Sequence, residues 1–207
     1  VDAKGLDALA ERHGVTLHLA ALPGAFVHPG RLLVEIDGAA DESLRSRIAE
    51  AFVIGNRRAF DDDPRFGIIV LTEVAQRALS TSINDPGTAI DVLGTLVRVL
   101  ALWDERRAAA PEARIHPRLR VPGISAAELF EDAFGPIARD GAPTLLVGLR
   151  LQKALAALHD LGGAEFQAAA RVQADLAFLR AEAALSLPAD REALRAAHAR
   201  VGRAEGA

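Results

Sequence analysis

The 207-residue chain has no cysteine, no methionine and no tyrosine. Lack of cysteine excludes disulfides and thiolate metal sites outright. The missing methionine, with Val1 in first place, predicts a processed or excised chain. No apolar run approaches the roughly 20 residues that a membrane helix needs, and no signal-peptide pattern opens the chain. The sequence therefore reads as a soluble piece. Chemistry-bearing motifs are scarce as well. The histidines, His13, His18, His28, His116, His159 and His198, form no HExxH or His-x-His pair, which argues against a local zinc site. Ser80 and Ser82 lack a G-x-S-x-G elbow, and neither phosphate-binding glycine motif occurs. A common serine hydrolase and a phosphate-loop nucleotide site are thus both without support. The net charge of −4 argues against a general nucleic-acid binder, which normally shows a basic face.

What is present is a half-hydrophobic chain, rich in Ala, Leu and Arg and long enough to bury a real core. Residues 1–38 stand apart. Asp2 to His13 has helical spacing at Leu6, Leu9 and Ala10, with Gly14 as its stop. Val15 to Leu19 alternates like a strand, and Ala25-Phe26-Val27 and Leu32 to Ile36 are two further strand candidates between Pro-Gly turns. The stretch PGAFVHPGRLLVEI resembles the strand pair of biotinyl/lipoyl-like barrel-sandwich modules, without the lysine that those carriers modify.

From Asp41 the pattern is helical. Asp41 caps a helix with Leu44, Ile48, Ala51 and Phe52 on one face; Asp63-Pro64 opens the next, with Phe66, Ile69, Val70, Val74 and Ala78 inward. Asp85-Pro86 repeats that start, followed by Ile90, Leu93, Val97, Leu100 and Trp103. A basic, Pro-punctuated loop over 108–122 precedes a capping box at Ser125–Glu128 and a short helix through Phe134. Pro143 opens a helix carrying Leu146, Leu149, Ala154 and Leu158, and two Ala-rich helices follow, over about 164–185 and 190–203. The predicted fold class is α+β: a mostly α-helical bundle over residues 41–207, preceded by a small β-containing, barrel-sandwich-like module over 1–40.

The densest polar chemistry lies in two turns that each end in Asp-Pro. Arg57, Arg58, Asp61 and Asp62 crowd the turn before Asp63; Ser80, Ser82, Asn84 and Thr88 crowd the turn around Asp85. Aspartate before proline at a helix start satisfies free N–H groups and complements the dipole, contributing about 0.5–2 kcal/mol. Capping explains Asp63 and Asp85 but not their neighbours. A helix start lined with Ser, Asn and Thr can also receive an anion or a polar ligand group, and Asp61, Asp62 and Asp63 can hold a hard cation such as magnesium. A solvated acidic turn pairing with Arg57 or Arg58 is the plainer reading of the second possibility. The intervening helix spans about 24 Å, so the two turns are not expected to share a site within one protomer. Arg106, Arg107, Arg114, His116, Arg118 and Arg120 form a basic loop around Pro117 that suits either a solvated connector or anionic headgroups, at about 1 kcal/mol per charge. It has no aromatic residues, which weakens a nucleic-acid reading further.

These residues carry a resemblance. The chain is similar to the bacterial family of predicted membrane proteins designated domain of unknown function 2254, with its G-R-x-R-T-x-x-x-D-x-x-F-G and A-L-R-A-L-S-P-x-x-N-D-P-x-T-A stretches. Gly55, Arg58, Asp63, Phe66 and Gly67 match the first; Arg77 to Ser80 and Asn84 to Ala89 match the second. The P-G-x-F-V-x-P-G-x-L stretch at Pro23–Leu32 fits too, so the likeness covers most of residues 1–100. Thr81 departs from the family's proline, and Asn56 and Ala59 from a frequent Arg and Thr. The resemblance implies membrane helices N-terminal to this region as a partner, and a cytoplasmic, inner-membrane-tethered location, but no activity. No cofactor is implied. The favoured expectation is a ligand-sensing or protein-docking module, with Ser80, Asn84, Asp85 and Thr88 as one polar site and Arg58 with Asp63 as another. The alternatives are a metal-assisted hydrolase using Asp61, Asp62 and Asp63, and a purely structural domain that forms a homo-oligomer through its Ala-rich helices.

Overall fold

The computed structural model describes residues 1–61, 63–109 and 115–202. Along the chain these form α1 (Ala3–His13), β1 (Thr16–Leu19), β2 (Val34–Asp37), α2 (Glu42–Glu50), α3 (Pro64–Leu79), α4 (Pro86–Ala108), β3 (Leu119–Arg120), α5 (Ala126–Asp140), α6 (Leu145–Leu161), α7 (Ala164–Ala184) and α8 (Pro188–His198). The fold is α+β, with a small three-stranded mixed sheet and a larger helical part. Two compact units divide it: Val1–Phe66 with Pro111–Gly123, and Gly67–Ala110 with Ile124–Ala207.

In the first unit β1 is the central strand. It pairs antiparallel with β2, Leu17 opposite Ile36, and parallel with β3, Leu17 opposite Leu119. Alternation along β1 buries Leu17 and Leu19, and α1 and α2 cover them with Leu6, Ala10, Leu44 and Ile48. Asp2 and Asp41 cap these helices by accepting from the N–H of Gly5 and Leu44, each at 2.8 Å. Ala25-Phe26-Val27, expected as a strand, runs extended without joining the sheet. It lies between turns at Gly24 (φ 82°) and Gly30 (φ 90°). The parallel strand β3 comes from beyond α4, and nothing in the first forty residues signals it.

The helical unit packs α4, α5, α6 and α7 around Leu93, Leu96, Leu100, Phe130, Phe134, Leu151, Leu155 and Phe166. Phe130 meets Phe166 edge-on at 4.9 Å, and Trp103 stacks on Phe166 at 5.8 Å. Small residues on α7, Ala169, Ala170, Ala174 and Ala177, let its backbone lie close to its neighbours. A second cluster of Ala181, Leu185 and Leu194 docks α8, where His198 stacks on Phe178 at 4.6 Å. The inward face of α3 differs in part from the one expected, and α6 leaves one of its apolar residues outside. On α3 the buried residues are Ile68, Thr72, Ala75 and Ala78, while Val74 is exposed; on α6 they include Val147, Leu151, Leu155 and Leu158, while Leu146 is exposed. Both helices are apolar on several sides, so periodicity alone does not select the buried face.

Helix α5 also outruns its expected end at Phe134, continuing through Gly135 and Pro136 to Asp140. An interior proline removes the N–H that would bond the carbonyl four residues back, here Asp132. The Thr72 hydroxyl of α3 has one proton to donate and reaches this carbonyl among three. It lies 3.1 Å from the Asp132 carbonyl and 3.2 Å from that of Ala133, as well as 3.0 Å from Ile68 in its own helix. Gln76, one turn on, donates to the Asp140 carboxylate at 2.7 Å. These bonds clip α3 to α5.

Candidate functional site

The turn before α3 belongs to the first unit. Asp63 is 4% exposed and accepts from Arg58 Nε at 2.6 Å and from the Phe66 N–H at 3.1 Å. Its charge is thus spent on the helix start and on one guanidinium. Arg58 also lies over the Phe66 ring at 5.2 Å, and Phe60 stacks on that same ring at 4.7 Å. Gly24 backs onto the pair: a Cβ there would overlap the Asp63 carboxylate and come within 2.9 Å of Arg58 Nε. The first Pro-Gly turn and the Arg58–Asp63 pair are therefore one construction. Asp61 is exposed, and Asp62 lies outside the described residues. Among the described residues no group of three or more His, Asp or Glu side chains is placed to hold a metal ion.

The Ser80–Asp85 turn belongs to the helical unit and joins α3 to α4. Ser80 donates to the Arg77 carbonyl at 2.7 Å, and its oxygen lies 3.3 Å from Ser82 Oγ. Asn84 takes the left-handed conformation (φ 50°), and the next N–H, of Asp85, returns to the Ala78 carbonyl at 2.8 Å. Asp85 caps α4, accepting from the Thr88 N–H at 3.1 Å and the Thr88 hydroxyl at 2.6 Å. Those bonds, the hydroxyl first, hold its carboxyl below the usual carboxylate range. The structure thus places Ser80, Asn84, Asp85 and Thr88 together in one exposed turn, with the first donors of α4 already met by Asp85.

The basic stretch does not form one loop. Arg106 and Arg107 end α4, where Arg107 stacks over Trp103 at 4.9 Å and pairs with Glu165 and Asp104. Glu165 also accepts from the N–H of Ala126 at 3.0 Å, and the Arg107 guanidinium, ahead of that N–H, holds its carboxyl low. Arg118 and Arg120 belong to the first unit, where the Arg118 N–H donates to Asp7 at 2.8 Å and Arg120 to the Pro117 carbonyl at 2.6 Å. Arg114 lies outside the described residues.

The helical unit contains a site that the motifs did not announce. A groove of about 770 Å³ runs between α3, α5 and α7, within the range of small-molecule sites. Ile69, Ala168, Val172 and Leu176 supply apolar wall, and Val172 is 55% exposed. Gln173 lines the groove, only 6% exposed, and its side-chain amide makes no hydrogen bond among the described residues. No fully sealed side-chain nitrogen or oxygen lacks a partner there, so this amide opens on the groove. Gly135 forms the floor: a Cβ on it would stand 3.9 Å from Glu131 Cγ and 4.0 Å from Gln173 Oε1. Arg180 donates to the Gly135 carbonyl at 3.2 Å, and Arg139 pairs with Asp140 at 3.0 Å. The available signal was positional. Phe166, Ala170, Gln173 and Ala177 recur at helical spacing, so glutamine interrupts a stripe that otherwise enters the core.

Comparison with known sequences places the chain. The profile of the family described as "Predicted membrane protein (DUF2254)" matches residues 1–157. The chain belongs to this family. Among curated relatives, "Uncharacterized protein Mb1321c" of Mycobacterium bovis and "Uncharacterized protein Rv1290c" of Mycobacterium tuberculosis are each 32% identical over 112 residues. Those residues are 51% of this chain but 22% of either relative, so the match takes in about a fifth of their length. No solved structure matches significantly. Among the described residues of this family member, one helix, α4, is long and apolar enough to cross a membrane, with a mean hydropathy of 1.3 over its best window. That window tolerates Asp91 and Arg98, which is why no uninterrupted apolar run announces it. In the fold α4 turns Leu93, Leu96 and Leu100 into the helical core.

Proposed function

We propose that this region of the DUF2254 protein is a ligand-sensing module, and that the groove between α3, α5 and α7 receives the ligand. The observation that carries the reading is Gln173. Its side chain is almost wholly buried, yet the amide opens on the groove with no protein partner among the described residues, so it is a fixed hydrogen-bonding group that an occupant can meet. The groove's form adds support, since apolar walls with a few convergent polar groups are the usual make-up of a small-molecule site. Position supports the sensing role. The groove is bounded by α3, whose Thr72 and Gln76 are the clips to α5, so an occupant between these helices bears directly on how they are held together. A hydrolase would instead need acid–base or metal chemistry converging on one point. The Arg58–Asp63 pair uses its charges on itself and on the start of α3.

Nile red, a neutral dye whose emission rises in apolar surroundings, tests the groove. The purified chain is expected to bind it with a single saturable site, and Ala168→Trp, an exposed position on the groove wall, is expected to lower that affinity at least tenfold while leaving the circular dichroism unchanged. Equal binding by the folded variant refutes the groove as the site.

A further inference from the structure

We infer that the groove's ligand is a small alkylammonium amphiphile, an apolar body ending in a protonated primary amine; this rests on the groove being a binding site. Three acceptors point to it. Glu131 of α5 and Gln173 of α7 both lie beside Gly135, a Cβ on which would stand 3.9 Å from Glu131 Cγ and 4.0 Å from Gln173 Oε1. Glu73 of α3 lines the same groove. It follows Thr72, whose hydroxyl touches the Asp132 carbonyl, and Glu131 precedes Asp132, so both glutamates flank one helix contact. Neither Glu73 nor Glu131 has an ion-pair partner among the described residues, in contrast to Glu165, which is held by Arg107. An ammonium group has three N–H donors and no acceptor, which matches two carboxylates and an amide oxygen. Ile69, Ala168, Val172 and Leu176 then offer an apolar bed for the alkyl chain.

The competing charge in the groove is positive. Arg139 and Arg180 also line it, and they would favour a carboxylate. Arg139 is paired with Asp140, however, and Arg180 is bonded to the Gly135 carbonyl. Among the described residues the lining charges without an ion-pair partner are then Glu73 and Glu131 against Arg180, and the negative sign is in excess.

Octylamine, octanol and octanoate share one chain and differ only in the head group, so they separate the apolar bed from the charge. By calorimetry at pH 7 the whole chain is expected to bind octylammonium at least tenfold more tightly than octanol, and octanoate more weakly than either. Glu73→Gln with Glu131→Gln, both at exposed positions, is expected to abolish the preference for octylammonium while octanol binding persists. Octanoate binding as well as or better than octylammonium would overturn the inference and leave the groove standing, with Arg139 and Arg180 as its charge. An ammonium preference that survives the double substitution overturns the assignment to these glutamates. Failure of all three ligands, with Nile red binding unaffected by Ala168→Trp, overturns the groove itself.

Discussion

Thr72 shows how a single hydroxyl lets a proline sit inside a helix. Pro136 leaves the Asp132 carbonyl without its intrahelical donor, and Thr72 Oγ1, buried in α3, stands at 3.1 Å from that oxygen. A part-buried carbonyl that loses a donor costs up to about 1–3 kcal/mol. Thr72→Val keeps the side-chain shape and removes only the donor, so it is expected to destabilise the protein by about that amount in urea unfolding. Pro136→Ala restores an N–H to the same carbonyl. In that background Thr72→Val is expected to cost less than half as much, and a double-mutant cycle with no coupling would show that the hydroxyl does not serve Asp132. Asp85 offers a second test at this scale, through pH. Its carboxyl is held low by the Thr88 hydroxyl and N–H, so its contribution is fully present above the ordinary carboxylate range and is lost as pH falls through the lowered value. Asp85→Asn can still cap α4 but does not titrate. The melting temperature of the variant is expected to fall less steeply on acidification than that of the parent, and parallel curves would exclude a role for this carboxylate.

At the scale of elements, what was legible followed from local chemistry. Asp41, Asp85 and Ser125 each accept from an N–H three residues on, and Asp63 accepts from Phe66, so every helix start read from a side-chain cap is a helix start in the fold. Capping is decided within four residues, which is why the sequence alone suffices. Faces and ends depend on partners. Val74 and Leu146 fit an inward stripe by spacing, yet both are exposed, because α3 and α6 carry apolar residues on more than one side. The end of α5 was illegible for a related reason: Gly135-Pro136 signals a stop, and the donor that cancels the signal comes from residue 72. The Arg58–Asp63 pair was visible as two residues of one motif, but its contact with Gly24 was not. The groove was the least legible of all. Glu73, Glu131 and Gln173 lie on three helices, and α7, mostly alanine on its inner face, has no strong polar side against which one glutamine stands out.

For the whole molecule, the family match and the fold end at different places. The profile stops at residue 157, four residues before the end of α6. The core does not stop there. Phe166 of α7 makes the edge-on contact with Phe130 and the stack with Trp103, and Ala169, Ala170, Ala174 and Ala177 lie in the same cluster as Leu151 and Leu155. The Gln152 side chain, 1% exposed, donates to the Ala174 carbonyl at 2.9 Å, and His198 of α8 lies 3.2 Å from Gln152 Oε1. A chain cut after residue 157 would lose these partners together and expose Leu151, Leu155 and Phe130. Truncating one buried phenylalanine costs about 3–5 kcal/mol, and whole domains are stable by only about 5–15 kcal/mol. Losing Phe166 with the rest of α7 therefore removes the margin. The cut chain is expected to lose the cooperative thermal transition of the helical unit, to bind Nile red non-saturably and to be cleaved by trypsin within α4 and α6 under conditions that spare the full chain. A cooperative melt in the cut chain would show that the family-matched segment is self-sufficient and that α7 and α8 are additions to it. Because α7 supplies one wall of the groove, the same cut separates stability from sensing: a folded 1–157 chain would have a core but no Gln173, and no site for the amine.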